Sequence, residues 1–490
     1  MRIAQMVQNG LHFWNTLTRQ KQKFHPIDAG KVRLYVCGPT VYNDPHIGNW
    51  RTFLFGDLLR RWLEYRGYTV FHVMNITDIE DKTIRDSGKE GVSLKAFTDR
   101  YTQSFFRGLN LLRILPATIY PRATDYVKEM IQFIQMLLQK GIAYEARDGV
   151  YFDIDAFPNY GQLSHVALDN VKTTARMTDD EYDKDAAQDF VLWKHSTTEE
   201  LQRGIYFNSP WGKGRPGWHI ECSVMTNTLL GETLDIHIGG EDLVFPHHEN
   251  EIAQSESLTG KPFVHYWLHV RHLMINGRKM SKSLGNYVLF EKVLAQYGTD
   301  TLRYFFLSVH YRRSIDFTPA TMKIAQNSMM RLRTTLDLIE GALQNDDEEL
   351  EVPTDTFAFL DALHQHRQAF EHSMDDDLDT HSALDALHAI SKTINEYCAK
   401  KPNNAALITA RRIYLQLLNA IGLYSIDLQS SPTQVQDHSH ALITLLLSLR
   451  DRLRSEKNYT ISDLIRDELA QLGVQLTDTT NGTTWKLKAS

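Results

Sequence analysis

The sequence predicts an α/β protein: a doubly wound parallel sheet with an inserted subdomain, followed by a helical bundle and a small C-terminal domain. Residues 31–37 and 69–74 have the apolar pattern of β-strands, and the segment between them has the apolar spacing of a helix. A strand–helix–strand unit of this length is typical of parallel, doubly wound sheets. Beyond Asp316 the pattern becomes helical, because apolar side chains recur every three or four positions in residues 384–397 and 407–421.

Each element follows from a local signal. The first strand ends at Gly38-Pro39, and the next helix begins after His46 and ends before Gly67, a common residue just past a helix. A helix over residues 130–137 and a strand over 149–153 belong to an inserted segment. The sheet resumes near Gly217, and its later elements are a strand at 234–238, a helix from Pro246 to about Gly260 and a hairpin at 271–278.

These changes of pattern predict three domains. The first comprises residues 1–315, with the insertion at about 122–215, and it is followed by a helical domain at 316–430 and a small domain at 431–490. The acidic segment 345–349 and the polar segment 430–433 are predicted linkers.

Composition predicts a cytoplasmic protein. The 490 residues are 42% hydrophobic, which is enough for a sizeable core, and no stretch is long and apolar enough to span a bilayer. The 3 Cys are widely separated and odd in number, which argues against a disulfide framework and for a reducing compartment. The net charge of −7 does not itself indicate nucleic-acid binding, although a local basic face would be sufficient to contact phosphates.

Three segments have residues suited to binding a nucleotide. His46 lies at a predicted helix N-terminus, where free backbone N–H groups attract phosphate, and Gly48 lets a ligand approach the backbone. Lys279 and Lys282 lie in a serine-containing loop that can close over phosphates. A turn after strand 234–238 contains Gly240 and Asp242, and Asp242 can accept a hydrogen bond from a ribose hydroxyl. A short His-Ile-Gly segment or a Lys-Ser loop alone is commonly a chance match or a solvated turn, but the two in this order and context are specific.

A possible metal site is indicated more weakly by the residues alone. His247 and Glu251 are four residues apart on a predicted helix, so they share one face. Cys37 ends the first strand and Cys222 begins another predicted helix. Considered singly, the two cysteines are best interpreted as buried thiols and His247 as a helix-cap residue.

The segments Pro45-His46-Ile47-Gly48-Asn49 and Lys279-Met280-Ser281-Lys282-Ser283 resemble the split signature of class I aminoacyl-tRNA synthetases. Along nearly its whole length the chain resembles the cysteinyl-tRNA synthetase family of that class. Asn49 stands where many class members have His, and its amide keeps both a donor and an acceptor, so activity is expected to survive. The resemblance implies that the catalytic residues are His46, Lys279 and Lys282, of which Lys282 matters most for the transition state. It implies that ATP binds together with Mg²⁺ and contacts His46, Gly48, Asn49, Gly240, Asp242, Lys279 and Lys282.

The same resemblance implies that Cys37, Cys222, His247 and Glu251 bind one Zn²⁺ ion per chain. Sulfur ligands hold zinc firmly, and a carboxylate leaves it Lewis-acidic. His248 is expected to face elsewhere, as the residue after a predicted ligand on a helix. The hypothesis that follows is that zinc distinguishes the thiol of cysteine from the hydroxyl of serine, so that no editing domain is needed.

Substrate contacts are also implied by the resemblance. Cys37, Thr77 and Trp218 would form the amino-acid pocket, although Trp218 could instead simply pack in the core. The helical region after Asp316 and the C-terminal segment would bind the anticodon stem and loop. Trp485 could stack on an unpaired base or could pin the tail to the helices.

The resemblance therefore implies a monomeric ligase of protein biosynthesis that activates L-cysteine with ATP to cysteinyl-adenylate and transfers the cysteinyl group to tRNA(Cys). One alternative is a cysteine ligase with a similar core that acts on a small amino-sugar; the long helical C-terminal part argues against it. A second alternative is a catalytically inactive, zinc-bearing RNA-binding protein. His46, Lys279 and Lys282, all intact, argue against that alternative.

Overall fold

The computed structural model describes residues 10–165, 189–279, 288–344, 355–400, 402–424, 439–455, 459–471, 474–479 and 482–487. The chain divides into two compact units. The first unit comprises Met1–Met329, Ala369–Asp385 and Leu418–Ser425, and the second comprises Met330–Gln368, Ala386–Leu417 and Ile426–Ser490. Lys282 and both predicted linkers lie outside the described residues.

The N-terminal part forms a hairpin and the first half of the central sheet. The helix that follows the third strand begins at Ile47 and ends just before Gly67, as predicted. In chain order the elements are β1 (His12–Asn15), β2 (Gln20–Lys23), β3 (Lys31–Val36), α1 (Ile47–Tyr65), β4 (Thr69–Met74), α2 (Asp81–Lys89) and α3 (Leu94–Leu111).

The next part forms a separate five-stranded antiparallel sheet, of which the sequence predicted only one strand. The strand order is β5-β6-β7-β9-β8. Short 3-10 turns lie at Ala123–Tyr126 and Ile154–Ala156. The elements are α4 (Val127–Gln139), β5 (Ala143–Ala146), β6 (Gly149–Phe152), β7 (Phe190–His195), α5 (Thr198–Gln202), β8 (Phe207–Ser209) and β9 (Gly212–Pro216).

The chain then returns to the central sheet. A 3-10 turn at Glu241–Leu243 and a wider turn at Val244–His248 connect a strand to the next helix, which ends before Gly260. The elements are α6 (Trp218–Leu230), β10 (Leu234–Gly240), α7 (Glu249–Thr259), β11 (Val264–Val270), β12 (Leu273–Ile275), β13 (Arg278–Lys279), α8 (Phe290–Tyr297), α9 (Thr299–Leu307) and β14 (Ile315–Phe317).

The central sheet is parallel and has the strand order β11-β10-β3-β4, which confirms the predicted fold class. Leu34, Val36, Ile236 and Ile238 are each fully buried. Strands that are covered on both faces in this way need nearly continuous apolar side chains. Because all four strands run in one direction, their carboxyl ends meet at one edge, and ligands of doubly wound sheets bind beyond that edge.

A second, smaller sheet lies beyond that edge. Strands β12 and β13 form the predicted hairpin, and β14 pairs with β12 in parallel. Strand β14 spans the predicted boundary between residues 315 and 316, so these residues are part of the first unit's architecture.

The remainder of the chain is largely helical, as predicted. Leu387, Ile394, Leu407 and Tyr414 are among the buried side chains of its amphipathic helices. The elements are α10 (Pro319–Leu343), α11 (Asp355–Asp375), α12 (Thr380–Cys398), α13 (Asn404–Ala420), α14 (Ser439–Ser455), α15 (Tyr459–Gln471), β15 (Val474–Thr479) and β16 (Gly482–Leu487). In the part of the chain that the structure describes, no helix has both the length and the apolar character that crossing a membrane requires.

Candidate active site and metal centre

The N-terminus of α1 is fixed by the first predicted motif itself. His46 caps the helix: its Nδ1 accepts a hydrogen bond from the Asn49 backbone N–H, at 3.1 Å. The Asn49 side-chain oxygen in turn accepts from the His46 backbone N–H, also at 3.1 Å. This reciprocal pair satisfies two backbone donors of the first turn. Asn49 therefore has a structural reason to occupy the fourth motif position.

The end of β3 lies very close to the end of β4. A Cβ at Gly38 would overlap the backbone of Asn75, so this position requires glycine. The Asn75 side chain accepts from the Gly38 N–H at 2.7 Å and donates to the Thr77 hydroxyl at 3.1 Å. The Thr77 hydroxyl donates to the Glu221 carboxylate at 3.1 Å. These bonds fix Thr77 beside Cys37, as a shared pocket requires.

The four residues predicted as metal ligands converge at this edge of the sheet. The ligand atoms of Cys37, Cys222, His247 and Glu251 all lie within 4.8 Å of one another, and all four residues are buried. Cys37 follows β3, Cys222 lies on the first turns of α6, and His247 and Glu251 flank the start of α7. Two sulfurs, an imidazole nitrogen and a carboxylate oxygen form a donor set that suits zinc.

The protonation preferences of these groups favour a bound cation. Burial opposes ionisation of Glu251, yet the imidazoles of His237 and His247 lower its pKa to about 2. Burial would likewise lower the pKa of His247, but Cys222 and Glu251 raise it to about 10. Hydrogen bonding from the Cys37 thiol lowers the pKa of the Cys222 thiol. Burial and the neighbouring Cys222 and Glu251 raise the pKa of the Cys37 thiol well above its usual range. Cys222 and Glu251 are therefore the groups whose pKa values favour the anion, and a bound metal can take the place of the protons on Cys37 and His247.

Further histidines surround the cluster, and the sequence analysis did not select them. His237 Nε2 lies 3.0 Å from Glu251 Oε2, and His219 Nδ1 lies 2.9 Å from His247 Nδ1. Such contacts orient metal ligands. The strand register is what would have identified His237. It pairs with Tyr35 in the neighbouring strand, and Tyr35 is two residues from Cys37, so His237 and Cys37 lie on one face of the sheet.

His248 also belongs to this cluster, contrary to the expectation that it faces elsewhere. Its Nε2 lies 3.3 Å from Cys37 Sγ, and its Nδ1 lies 2.8 Å from His269 Nε2. The wider turn at Val244–His248 precedes the regular helix, so ordinary helical spacing does not apply there. Cys37, His237, His248 and Glu251 form a second possible donor set. The first set is the better candidate because Cys37, Cys222 and His247 line the cavity described next, whereas His237 and His248 do not.

One cavity of about 410 Å³ is lined by residues predicted for the nucleotide site and by three of the four predicted metal ligands; Glu251 does not line it. The Trp218 ring, which lines the cavity, stacks on His247 with ring centres 4.2 Å apart. The first turn of α1 and the turn after β10 also line it. The predicted residues that line the cavity are Cys37, His46, Gly48, Asn49, Thr77, Trp218, Cys222, Gly240, Asp242 and His247.

The predicted lysines are described only in part. The backbone of Lys279 forms the end of β13, where it pairs with Met274. The structure does not describe the Lys279 side chain, and Lys282 lies outside the described residues.

Trp485 lies on β16, which pairs with β15 in the second unit. Its ring packs against a small apolar cluster of Leu447, Leu469 and Val474. This contact supports the interpretation in which Trp485 pins the C-terminal strands to the helices.

Comparison with known sequences identifies the family. Residues 23–327 match the family described as tRNA synthetases class I (C) catalytic domain, and residues 369–425 match the DALR domain. A cysteine–tRNA ligase of Methanosarcina acetivorans is 46% identical over 96% of this chain and 98% of that protein. The chain belongs to the cysteine–tRNA ligase family. Another cysteine–tRNA ligase, from Thermococcus onnurineus, is 43% identical over 97% of this chain and 99% of its own length.

Solved structures show that the fold of this cysteine–tRNA ligase family member is shared more widely. A methionyl-tRNA synthetase of Mycobacterium tuberculosis, in complex with methionyl-adenylate, has a TM-score of 0.60 at 15% identity, over 80% of this chain and 90% of that chain. A leucyl enzyme of Agrobacterium radiobacter K84, solved as a ternary LeuRS-tRNA-LeuAMS complex, has a TM-score of 0.60 at 12% identity, over 81% and 84%. At identities this low, the comparison shows a shared fold alone.

Proposed function

We propose that the chain is a ligase that joins L-cysteine to tRNA(Cys) in two steps. The cysteine carboxylate attacks the α-phosphorus of ATP, which gives cysteinyl-adenylate and releases pyrophosphate. A ribose hydroxyl at the 3′ end of the tRNA then attacks the acyl carbon, and AMP leaves. Family membership over nearly the whole chain supports this activity. The same coverage, including the DALR match, disfavours an enzyme for a small amino-sugar acceptor.

The observation that carries the proposal is that one cavity is lined both by candidate metal ligands and by candidate nucleotide-binding residues. Adenylate formation requires both substrates to be held with their reacting groups in contact. Cys37, Cys222 and His247 belong to the first group, and His46 and Asp242 belong to the second. A cysteine bound by its side chain to the first group would hold its carboxylate in the same cavity as a nucleotide bound by the second.

The nucleotide-binding residues are proposed to act through backbone N–H groups, side-chain donors and positive charge. His46 and Asn49 hold the first turn of α1 in place, where free N–H groups and the helix dipole favour phosphate. Gly48 and Gly240 leave room for the nucleotide, and Asp242 accepts from a ribose hydroxyl. Lys279 and Lys282 stabilise the charge that develops on the phosphate oxygens. ATP is proposed to bind together with Mg²⁺.

The amino-acid site is proposed to hold one zinc ion through Cys37, Cys222, His247 and Glu251, whose donor atoms fit that metal. When bound, zinc would supply a coordination position that accepts a thiolate far better than an alcohol. Thr77 is proposed to bind the substrate ammonium group. Its hydroxyl donates to Glu221 and accepts from Asn75, which leaves one acceptor position available in the cavity.

The rest of the chain is proposed to bind tRNA. We assign residues 1–315 to catalysis, 316–430 to the anticodon stem and 431–490 to the anticodon loop. A monomer in the cytoplasm is the proposed state; three free cysteines are consistent with a reducing compartment.

The proposal is tested by charging of tRNA with radiolabelled cysteine. The purified chain is expected to attach cysteine to tRNA(Cys) in the presence of ATP and Mg²⁺. A parallel reaction offers a small amino-sugar in place of tRNA, and no cysteine adduct is expected. Absence of charging, together with absence of cysteine-dependent exchange of pyrophosphate into ATP, would contradict the proposed function.

A further inference from the structure

A buried arginine near the start of α1 makes an unusual set of hydrogen bonds. Arg51 lies five residues after His46 and is only 3% exposed. Its Nη1 donates to the carbonyls of Arg271 at 2.7 Å and His272 at 3.1 Å. Its Nη2 donates to the carbonyls of Arg313 at 2.6 Å and His310 at 3.3 Å. One guanidinium therefore joins two separate loops to the helix that carries the first nucleotide motif.

Both loops lead directly into the sheet that carries the predicted lysine. The first precedes β12, which begins at Leu273, and the second precedes β14, which begins at Ile315. These two strands pair in parallel, and β12 also pairs with β13, whose last residue is Lys279. Arg51 thus holds the beginnings of two strands of a three-stranded sheet, and that sheet fixes the backbone of Lys279.

Glu241 holds the first loop from the other side. Its carboxylate accepts from the His272 backbone N–H at 2.9 Å and pairs with the Arg271 guanidinium at 2.7 Å. Glu241 is next to Asp242, which lines the cavity. The loop at residues 271–272 is therefore held from two sides. Arg51 on α1 binds its carbonyls, and Glu241 in the turn after β10 binds the His272 N–H.

We propose that Arg51 is a positioning residue for adenylate formation, which locks the sheet β13-β12-β14 to α1 so that Lys279 and the first turn of α1 keep a fixed separation. This inference rests on the proposed function of the cavity. Arg51 itself does not line the cavity, but Arg271 and His272, whose carbonyls it binds, do. Its effect therefore passes through the loop at residues 271–272 and the lysine hairpin into which that loop leads.

The chemistry of the side chain supports a specific need for arginine. A planar guanidinium has five donors in a fixed fork, so it can bind carbonyls of two loops at once, whereas a lysine ammonium is a compact point charge. Burial lowers the pKa of Arg51 to about 10, which still leaves the group cationic at neutral pH. Four carbonyl dipoles directed at one cation compensate much of its lost hydration.

The first test compares Arg51→Lys with a matched variant on the same helix. Arg61 is also buried, but it bonds Asp57 and the Arg113 carbonyl, away from the lysine hairpin. Arg51→Lys is expected to lower kcat of cysteine-dependent pyrophosphate exchange by about 10- to 100-fold, because small misplacements of catalytic groups have effects of this size. KM for cysteine and the zinc content should not change. Arg61→Lys should leave kcat per folded molecule within about twofold. Equal kcat in wild type and Arg51→Lys, or an equal loss in both variants, would overturn the proposal.

The second test asks whether Arg51 acts through Lys279. If it does, Arg51→Lys should cost much less in a Lys279→Ala background than in wild type, because the group it positions is absent. If the fold-losses in kcat of Arg51→Lys and Lys279→Ala simply multiplied in the double variant, the proposal would be contradicted. Glu241→Gln loosens the same loop from the other side and should lower kcat in the same direction by a smaller factor, which provides a second variant should Arg51→Lys fold poorly.

A third readout does not depend on activity. Amide hydrogen exchange of the folded full-length chain should become faster in β12 and β14 of Arg51→Lys, while amides of β10 stay protected as in wild type. Unchanged exchange in β12 and β14 would overturn the proposed lock. The wild-type chain could lack cysteine-dependent pyrophosphate exchange while amide hydrogen exchange in β12 and β14 still became faster in Arg51→Lys. In that case the proposed function would fail, and the positioning of the hairpin by Arg51 would stand.

Discussion

Cys37 connects the fold to the chemistry at the level of a single residue. It lies at the end of β3, and the glycine that follows allows close contact with Asn75. Its sulfur is within reach of Cys222, His247 and Glu251 and also lines the cavity. We propose that this residue, directly after the strand, lies where a substrate thiol is recognised.

Cys37→Ser is expected to abolish zinc binding and cysteine activation together, because a serine hydroxyl is a poor zinc ligand at neutral pH. Zinc per chain, measured by atomic emission on the purified protein, should fall from about one to near zero. The matched control is Cys398→Ser, which replaces a half-buried cysteine at the end of α12 and should leave both properties unchanged. A Cys37→Ser protein that retains stoichiometric zinc would remove Cys37 from the ligand set.

Lys282→Ala should slow adenylate formation by about 100- to 1000-fold, since loss of one group that stabilises transition-state charge has effects of this order. Because the lysine acts on charge that develops in the reaction, cysteine affinity should change little. Pre-steady-state measurement of adenylate formation, with cysteine binding measured separately, distinguishes the two effects. A weakened cysteine affinity at unchanged turnover would assign the residue another role.

Some site residues could be predicted from sequence and others could not, for a physical reason. Cys37, His46 and Glu251 lie in segments whose local pattern is recognisable. His237, by contrast, joins the site only through its register with β3, and Arg51 resembles any charged residue on an amphipathic helix. Burial of a cation depends on carbonyls from loops more than 200 residues away in the chain, and local sequence does not contain that information.

At the level of elements, the same distinction holds. Strands β3 and β4 were predictable because their apolar pattern is local. Strand β14 has only three residues, and it pairs with β12 about 40 residues earlier, so nothing in its own sequence requires a strand. The inserted sheet was recognised through β6 alone. Strands β5, β8 and β9 are short or partly polar, but β7 has six residues, begins with four apolar ones and was missed all the same.

Gly422, which follows α13 and belongs to the first unit, lies beside a buried ion pair of that unit. Arg303 on α9 is fully buried and pairs with Asp57 on α1 at 2.7 Å. Its guanidinium also bonds the Ile421 carbonyl at 3.4 Å, next to Gly422. Gly422 has φ +70°, and a Cβ there would overlap the Arg303 guanidinium.

Gly422→Ala is therefore expected to destabilise the first unit by about 2–4 kcal/mol, through backbone strain and disturbance of a buried ion pair. The control is Gly91→Ala, where φ is +67° but a Cβ would meet nothing within 4 Å. That variant should cost only about 1 kcal/mol of strain. Scanning calorimetry should show the larger decrease in melting temperature for Gly422→Ala. Equal decreases would mean that contact with Arg303 contributes nothing.

At the level of the whole molecule, we propose that activation of cysteine and recognition of tRNA are divided between the two compact units. All described residues that line the cavity belong to the first unit, whereas Trp485 and its apolar neighbours belong to the second. A change confined to the second unit should therefore affect the tRNA-dependent step alone.

Trp485→Ala should weaken charging of tRNA by about tenfold. Loss of this partly buried aromatic side chain costs about 2 kcal/mol of packing free energy or less, and that loss loosens the C-terminal strands. Cysteine-dependent pyrophosphate exchange, which needs no tRNA, should continue at the wild-type rate. Trp485→Phe keeps an aromatic ring and should retain most of the charging. Parallel loss of exchange and charging in Trp485→Ala would show that the residue stabilises the whole chain.

The central claim is that Cys37, Cys222, His247 and Glu251 select a thiol substrate through zinc. Calorimetric titration of cysteine and serine into the zinc-loaded chain, and into the same chain after chelation, tests it directly. We expect the zinc-loaded chain to bind cysteine more than about 100-fold more tightly than serine, which exceeds what shape alone provides. The metal-free chain should lose that preference. A metal-free chain that still binds cysteine over serine by the same factor would contradict the claim.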